Sequence, residues 1–376
     1  MEIISELYGA NIFSDEISSR LSLIKDSESN IPVFSDIDTY TGIDTIQLLI
    51  LETNLQIINP YIFNFRYDRK SRALILAKDD LRIIKRRFDT ACYYYTIQFS
   101  VSSILHGINL SSNTPIYYEK LIKILDRKFE KLGFRITNWK DVKTSRVDTF
   151  RNLILKIDYD EYFELFRALN FLKSGTENKN TIYYKNKETE ACIYDKSEQM
   201  NIKSIENILR VEFRAFKTRK AKKLFKSFNP NFKNDDLAYL FHLENFDADS
   251  YFISQSKKMF KHLINFSFIP QTDNLKDEIK KYHSKKRNSE NKANLSLKLI
   301  DAHKGKYFEQ FLIENFDEIV KPSKRSGSSK SRNYRIRNQA KELLIIGLAI
   351  EGCIKHGDGF IRDLIDGLCN PRDRLN

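Results

Sequence analysis

The sequence predicts an α+β fold, with an antiparallel sheet, helices on one face of it and a mainly helical C-terminal region. Three observations carry this. Runs of β-branched and aromatic residues of strand length recur through the first 216 residues. Two amphipathic helical patterns interrupt them, and the strand-like runs are joined mostly by short polar turns of hairpin type. After Phe216 the strand-like runs stop and helical spacing takes over.

Taken in order, residues 1–42 are weakly patterned, with a short helix at 7–24 and then Pro32 among clustered Ser and Asp, and they read as an N-terminal extension. The core begins at Ile43. Residues 43–51 form a strand, and 57–65 form another whose Pro60 limits central pairing. Residues 73–78 and 93–100 are two more strands, and 102–109 read as a turn. Residues 115–132 form a helix, with Ile116, Leu121, Ile122, Leu125, Phe129 and Leu132 at helical spacing and Gly133 as its stop. Strands at 134–136 and 145–157 follow, then a second helix at 160–173 ended by Ser174-Gly175. The stretch 181–214 reads as strands 181–185 and 190–196 joined by an Asn/Lys turn, a polar helical connection and a third strand, 208–216. These segments make one α+β domain, 43–230. A helical region at 231–320, a basic linker at 321–337 and a C-terminal helical hairpin at 338–376 complete the chain.

The formal net charge of +13 favours a polyanionic partner, nucleic acid or an anionic membrane, with a merely soluble basic protein as the alternative. The longest apolar run, 343–350, is too short to span a bilayer. Four scattered cysteines without a CxxC pair fit a reduced compartment and exclude a cysteine-built zinc site. The six histidines stand alone, without HExxH, and no GxxxxGK[ST] phosphate loop is present. A soluble, intracellular protein is expected.

Alternation along a strand puts Arg146 and Asp148 on one face of 145–157, and Arg210, Glu212 and Arg214 on one face of 208–216. Two carboxylates brought together in a sheet make a hard-oxygen site suited to Mg²⁺ or Mn²⁺; structural Arg–carboxylate pairing is the plainer alternative. Tyr194 is one of nineteen tyrosines, and packing is the default for most of them. A phenol needs a polarised phosphate and a nearby cation to act as a nucleophile at neutral pH. Lys196 supplies that cation if the stretch is extended; if the tyrosine opens a helix, the lysine points away and Glu198 shares its face. Tyr183 and Tyr184 are sheet-packing residues by default and base-stacking candidates if nucleic acid binds. The basic run Lys217, Arg219, Lys220, Lys222, Lys223 and Lys226 leads away from these strands and offers a track for the phosphates of a polyanion; a solvated face is the plainer alternative.

Taken together, 43–51, YYYTIQFSVSSILHGINL, TSRVDTF, the hairpin ending in IYDKSEQ and ILRVEFRAFKTRKAKKLF resemble, in the same order, the gene II/X family of replication initiators of filamentous phages and related plasmids. They cover about residues 43–226. The RxD, YDK and RxE sequence is also similar to that of rolling-circle plasmid initiators. The resemblance implies a rolling-circle initiator nuclease-like fold and a site-specific, metal-dependent DNA nickase and religase. Tyr194 matches the family's nucleophile, which forms a 5′-phosphotyrosine and frees a 3′-OH. Lys196 falls two residues after it, and Asp148 and Glu212 match acidic positions holding Mg²⁺ or Mn²⁺. Arg146, Arg210, Arg214, Lys217, Arg219, Lys220, Lys222 and Lys223 become DNA-binding residues. The chain departs from the broader class in having no paired-histidine metal motif; Arg146-Val147-Asp148 occupies that strand. Implied partners are origin DNA, double- and single-stranded, with host helicase and polymerase and a homodimer as further candidates, in the cytoplasm of a bacterial host and away from membrane. Two other readings remain at this point. One is a non-catalytic origin-binding or repressor protein, and the other is a relative using the same chemistry for transposition or transfer.

Overall fold

The computed structural model describes residues 41–59, 65–69, 72–78, 80–87, 92–106, 116–172, 174–178, 180–200, 207–233, 237–284, 288–315 and 329–371. Residues 1–40 of the extension expected at 1–42, most of the strand expected at 57–65 and residues 321–328 lie outside them.

The strands of the main sheet are β1 (Gly42–Leu51), β3 (Arg66–Asp68), β4 (Ala73–Lys78), β5 (Leu81–Arg87), β6 (Tyr93–Ser100), β8 (Lys143–Ile154), β9 (Ser174–Asn178), β10 (Thr181–Lys185), β11 (Thr189–Asp195) and β12 (Ile208–Phe216). They form a ten-stranded sheet in the order β3-β4-β5-β6-β1-β8-β12-β11-β10-β9, and every pairing is antiparallel. Two short strands, β2 (Leu55–Ile57) and β7 (Phe134–Ile136), pair separately. The expected strand at 208–216 is found with those bounds.

The helices in chain order are α1 (Val101–His106), α2 (Tyr118–Lys131), α3 (Tyr159–Ala168), α4 (Lys196–Met200), α5 (Thr218–Phe228), α6 (Ala248–Met259), α7 (Leu275–Tyr282), α8 (Ser289–Lys304), α9 (Phe308–Glu314), α10 (Ser329–His356) and α11 (Gly359–Cys369). Residues 102–109, expected as a turn, begin inside α1. Val101 and Ile104 are buried there, a short apolar face that a turn would leave exposed. Residues 329–337, expected as linker, are the first turns of α10. Composition misled here, because Ile336 and Ala340 are buried along that helix and anchor it by tertiary packing.

The two faces of the sheet differ sharply. One is apolar: Ile46, Leu48, Ile97, Val147, Ile182, Ile193, Val211 and Phe213 are all buried. Helices cover this side. Phe252 of α6 meets Phe213 at 5.1 Å, Tyr184 Oη donates to the Phe166 carbonyl of α3, and Tyr162 of α3 stacks on Phe360 of α11 at 4.3 Å. Arg151, fully buried on this face, ties the layers together. It donates to Thr41 Oγ1, to Asp249 of α6 at 2.5 Å, and to the carbonyls of Gly367 and Asn370 at 3.0 and 3.1 Å. The C-terminal helices thus share one core with the sheet. Among the described residues no helix is long and apolar enough to cross a membrane.

Candidate active site

The opposite face is polar, and the sequence candidates meet on it. Antiparallel registers pair Tyr194 with Arg210, Cys192 with Glu212, Glu190 with Arg214, and Arg214 in turn with Asp148. Because side chains alternate, these residues all project to one side across three adjacent strands, β11, β12 and β8, in the middle of the sheet.

Tyr194 Oη donates a hydrogen bond to Glu212 Oε1. The other oxygen, Oε2, accepts from Arg214 Nη2 at 2.6 Å and Nε at 3.0 Å. Arg214 also donates to Glu190 Oε1 at 2.8 Å, and its Nε stands 3.8 Å from Asp148 Oδ2. Asp148 is clasped by Arg146, whose Nε lies 2.9 Å from both carboxylate oxygens. Arg210 is fully buried: it donates to Asn152 Oδ1 at 2.7 Å, and its guanidinium lies over the Phe150 ring at 4.1 Å. Its charge therefore acts on the site from inside rather than as an exposed DNA contact.

Lys196 is the first residue of α4, so the strand ends just after Tyr194. Glu198 turns away and accepts from Asn180. Lys196 itself turns back: Nζ lies 5.9 Å from the centre of the Tyr194 ring and donates to Gln199 Oε1 at 2.8 Å. The chain is extended through Asp195, as one of the two readings from sequence had it, and turns helical at Lys196, one residue short of the expected strand end, with tyrosine and lysine brought together.

One site residue carries no pattern in the sequence. The β1–β8 register slips between Ile43 and Ile46, so two residues of β1 face one of β8. This bulge carries Asp44, which is 8% exposed, to within 4.0 Å of Arg210 Nη1, where it accepts from Thr45 Oγ1 at 3.1 Å. Bulges re-aim side chains in this way, and only the strand pairing reveals one.

The electrostatics follow from burial and these neighbours. Burial pushes Tyr194 well above the usual phenol range, and the Glu212 charge adds to it. Burial also disfavours the charge on Glu212, but Arg214 and Arg210 outweigh it and hold the carboxyl at about 2. For Asp148 burial wins over Arg146 and Arg214, pushing it up to about 6. Burial, reinforced by Arg210, brings the Lys196 ammonium down to about 7.

Asp148 and Glu212 have the oxygen chemistry Mg²⁺ or Mn²⁺ prefers. As placed they do not fit such an ion, because Arg146 and Arg214 already neutralise both. Among the described residues no group of three or more His, Cys, Asp and Glu side chains is drawn together as a metal cage.

The basic run forms the amphipathic helix α5, which buries Ala221, Leu224 and Phe225 against β8 and β12 beside α6. Arg219 pairs with Glu188, Lys217 and Lys223 are exposed, and Lys220 and Lys222 are half-buried. Of the two stacking candidates, Tyr183 is half-buried on the polar face, whereas Tyr184 is buried on the helix-covered face and so removed from any base.

No protein-family model and no curated protein matches the chain. Among solved structures it is similar to a rolling circle replication initiator protein from Geobacillus stearothermophilus. The two are 12% identical with a TM-score of 0.26, covering 48% of this chain and 75% of that one. A likeness at that level carries no argument, and the functional reading rests on the polar face.

Proposed function

We propose that the chain initiates rolling-circle replication by nicking and rejoining origin DNA through Tyr194. The observation that supports this most directly is the phenol of Tyr194, hydrogen-bonded to Glu212 and surrounded by Arg210, Arg214 and Lys196 on one sheet face.

In this reading an unpaired strand brings its scissile phosphate against the polar face. Tyr194 Oη attacks phosphorus, a bond from phosphorus to the phenolic oxygen forms, and the bond to the 3′-oxygen breaks. The phenol proton passes along the existing hydrogen bond to Glu212 Oε1. The 3′-oxygen takes a proton from water and leaves as a 3′-OH, and the 5′ end stays on the tyrosine. Glu212, held at about 2, is a weak base at rest. An entering phosphate draws charge from Arg214 and raises the basicity of Glu212. The guanidinium groups and the Lys196 ammonium stabilise the charge that develops on the phosphoryl oxygens. A requirement for Mg²⁺ or Mn²⁺ belongs to this reading through the sequence resemblance alone. So do the host helicase and polymerase, a homodimer and the bacterial cytoplasm. The basic helix α5 is the proposed contact to flanking DNA, through Lys217, Lys220, Lys222 and Lys223.

The test is cleavage of supercoiled and single-stranded DNA from the replicon that carries the gene, with Mg²⁺, Mn²⁺ or chelator, read on a denaturing gel for a protein–DNA adduct. An adduct absent from Tyr194→Phe is expected. An adduct that persists in that variant moves the nucleophile elsewhere. The pairing of both carboxylates with arginine, and Tyr194 being only 6% exposed, favour a second reading, a non-catalytic origin binder. Specific binding without cleavage, unchanged in Tyr194→Phe, would establish it.

A further inference from the structure

The polar face continues beyond the site, across β1, β6 and β5. The registers set Arg82 opposite Gln98, Gln98 opposite Gln47, and Gln47 opposite Arg146. These four side chains form one row across four strands, on the side of the sheet that carries Tyr194. At about 4.8 Å between neighbouring strands, the row runs roughly 14 Å from Arg82 to the arginine that clasps Asp148. Arg82 is exposed, and Gln98 and Gln47 are half-buried, so the row is reachable along its length. Ser145 Oγ donates to Gln47 Oε1 at 3.1 Å, which leaves the amide NH₂ as the free end of that side chain. On the same face, four residues along β5 from Arg82 and about 13 Å away, Arg86 stands opposite Tyr94, both half-buried, with the buried pair Ile84 and Thr96 between. Among the described residues neither Arg82 nor Arg86 forms an ion pair.

Guanidinium and amide donors in a line match the non-bridging oxygens of successive phosphodiesters, and the Tyr94 ring farther along the same face offers a base a stacking surface. A single strand suits this better than a duplex, because the row leads across the sheet to Tyr194, which is only 6% exposed and too enclosed for a duplex to reach. We propose that β5, β6 and β1 hold the single-stranded DNA next to the cleaved phosphate, with its backbone along Arg82, Gln98, Gln47 and Arg146. This rests on the nicking reading for its biological meaning, but the surface is measurable without cleavage.

The probe is a fluorescein-labelled poly-dT strand, read by anisotropy over a salt series against the full chain. For Arg82→Glu/Arg86→Glu, affinity should fall about tenfold or more, and the salt slope should decrease by roughly 1.4, the value for two phosphate contacts on a single strand. Gln98→Glu, a single change on a half-buried position, should weaken binding in the same direction. Lys304→Glu/Lys306→Glu, exposed at the C-terminal end of α8, should leave poly-dT binding unchanged. Circular dichroism melts check that each variant is folded. Wild-type affinity in folded Arg82→Glu/Arg86→Glu overturns the proposal, as does an equal loss for a duplex of the same length. If the chain nicks no origin yet this variant loses poly-dT binding, the row stands and the nicking reading fails. If nicking is intact and the variant binds normally, the row fails alone.

Discussion

Lys196 is an ammonium group in a place that disfavours its charge, brought down to about 7 by burial and by Arg210. Between 7 and its ordinary value the folded chain holds fewer protons than the unfolded one, so this group makes stability rise with pH across that window and weighs against folding below it. Lys196→Met is therefore expected to raise the melting temperature at pH 6 more than at pH 10, which thermal melts at both pH values will show. Its effect on activity runs the other way. Nicking that depends on the ammonium should fall as pH rises through about 7, be lost in Lys196→Met, and persist to higher pH in Lys196→Arg; an unchanged profile in the arginine variant would assign the inflection to another group. Glu212 is held at about 2, so its share of stability is present above the ordinary carboxylate value and is lost only as pH falls toward 2. Glu212→Gln removes the buried carboxylate bonded to Arg214 and Tyr194 and should cost about 3–5 kcal/mol in denaturant titrations. At this scale much of the site was legible. The Arg-x-acid spacings in β8 and β12 depend only on local alternation. Asp44 was not, because its position depends on a bulge defined by pairing with residues a hundred positions away.

Among the elements, the joint between β12 and α5 carries visible strain. Lys217, which caps that helix, has φ of 75° and ψ of 141°, a conformation that suits glycine rather than a residue with a Cβ. Lys217→Gly should stabilise the chain by about 1 kcal/mol in equilibrium unfolding. If Lys217 contacts phosphate as proposed, the same variant should bind DNA more weakly at low salt. A more stable variant with unchanged affinity would leave the strain without a function. Long periodic elements were easy to read: β12 and α2 follow apolar spacings that the core enforces. Short ones were not. β3 and β9 are polar edge strands without an alternating apolar face, and α1 has one turn and a half. The basic stretch at 329–337 looked like linker because its charges outnumber the few apolar residues that pin it.

At the scale of the whole molecule, no local pattern announces that the C-terminal third closes the core of the sheet. Arg151 shows the dependence most clearly, since one guanidinium bonds β8 to the segment before β1, to α6 and to the end of α11. Arg151→Ala empties a fully buried position and removes its bonds to Thr41, Asp249 and the Gly367 and Asn370 carbonyls, and should lower unfolding free energy by about 3–5 kcal/mol, measured by denaturant melts. The fold class itself was predictable because strand-like and helical spacings segregate along the chain. The order of the strands was not. β1, made first, is inserted between β6 and β8, a long-range choice that hydrophobic periodicity does not encode.

The Arg151 tie also has a consequence in time. Its carbonyl partner at Asn370 is 219 positions later in the chain. At translation rates of about 5–20 residues per second, the strand carrying Asp148 leaves the ribosome roughly 10–40 s before the helix that completes its support. The support beneath the polar face is therefore completed only once residue 370 has been made, and a chain cut short before that point would lack the Arg151 tie. For a protein proposed to break the DNA of its own replicon, this order of assembly would delay each new copy's first cut until the Asn370 segment has joined the sheet.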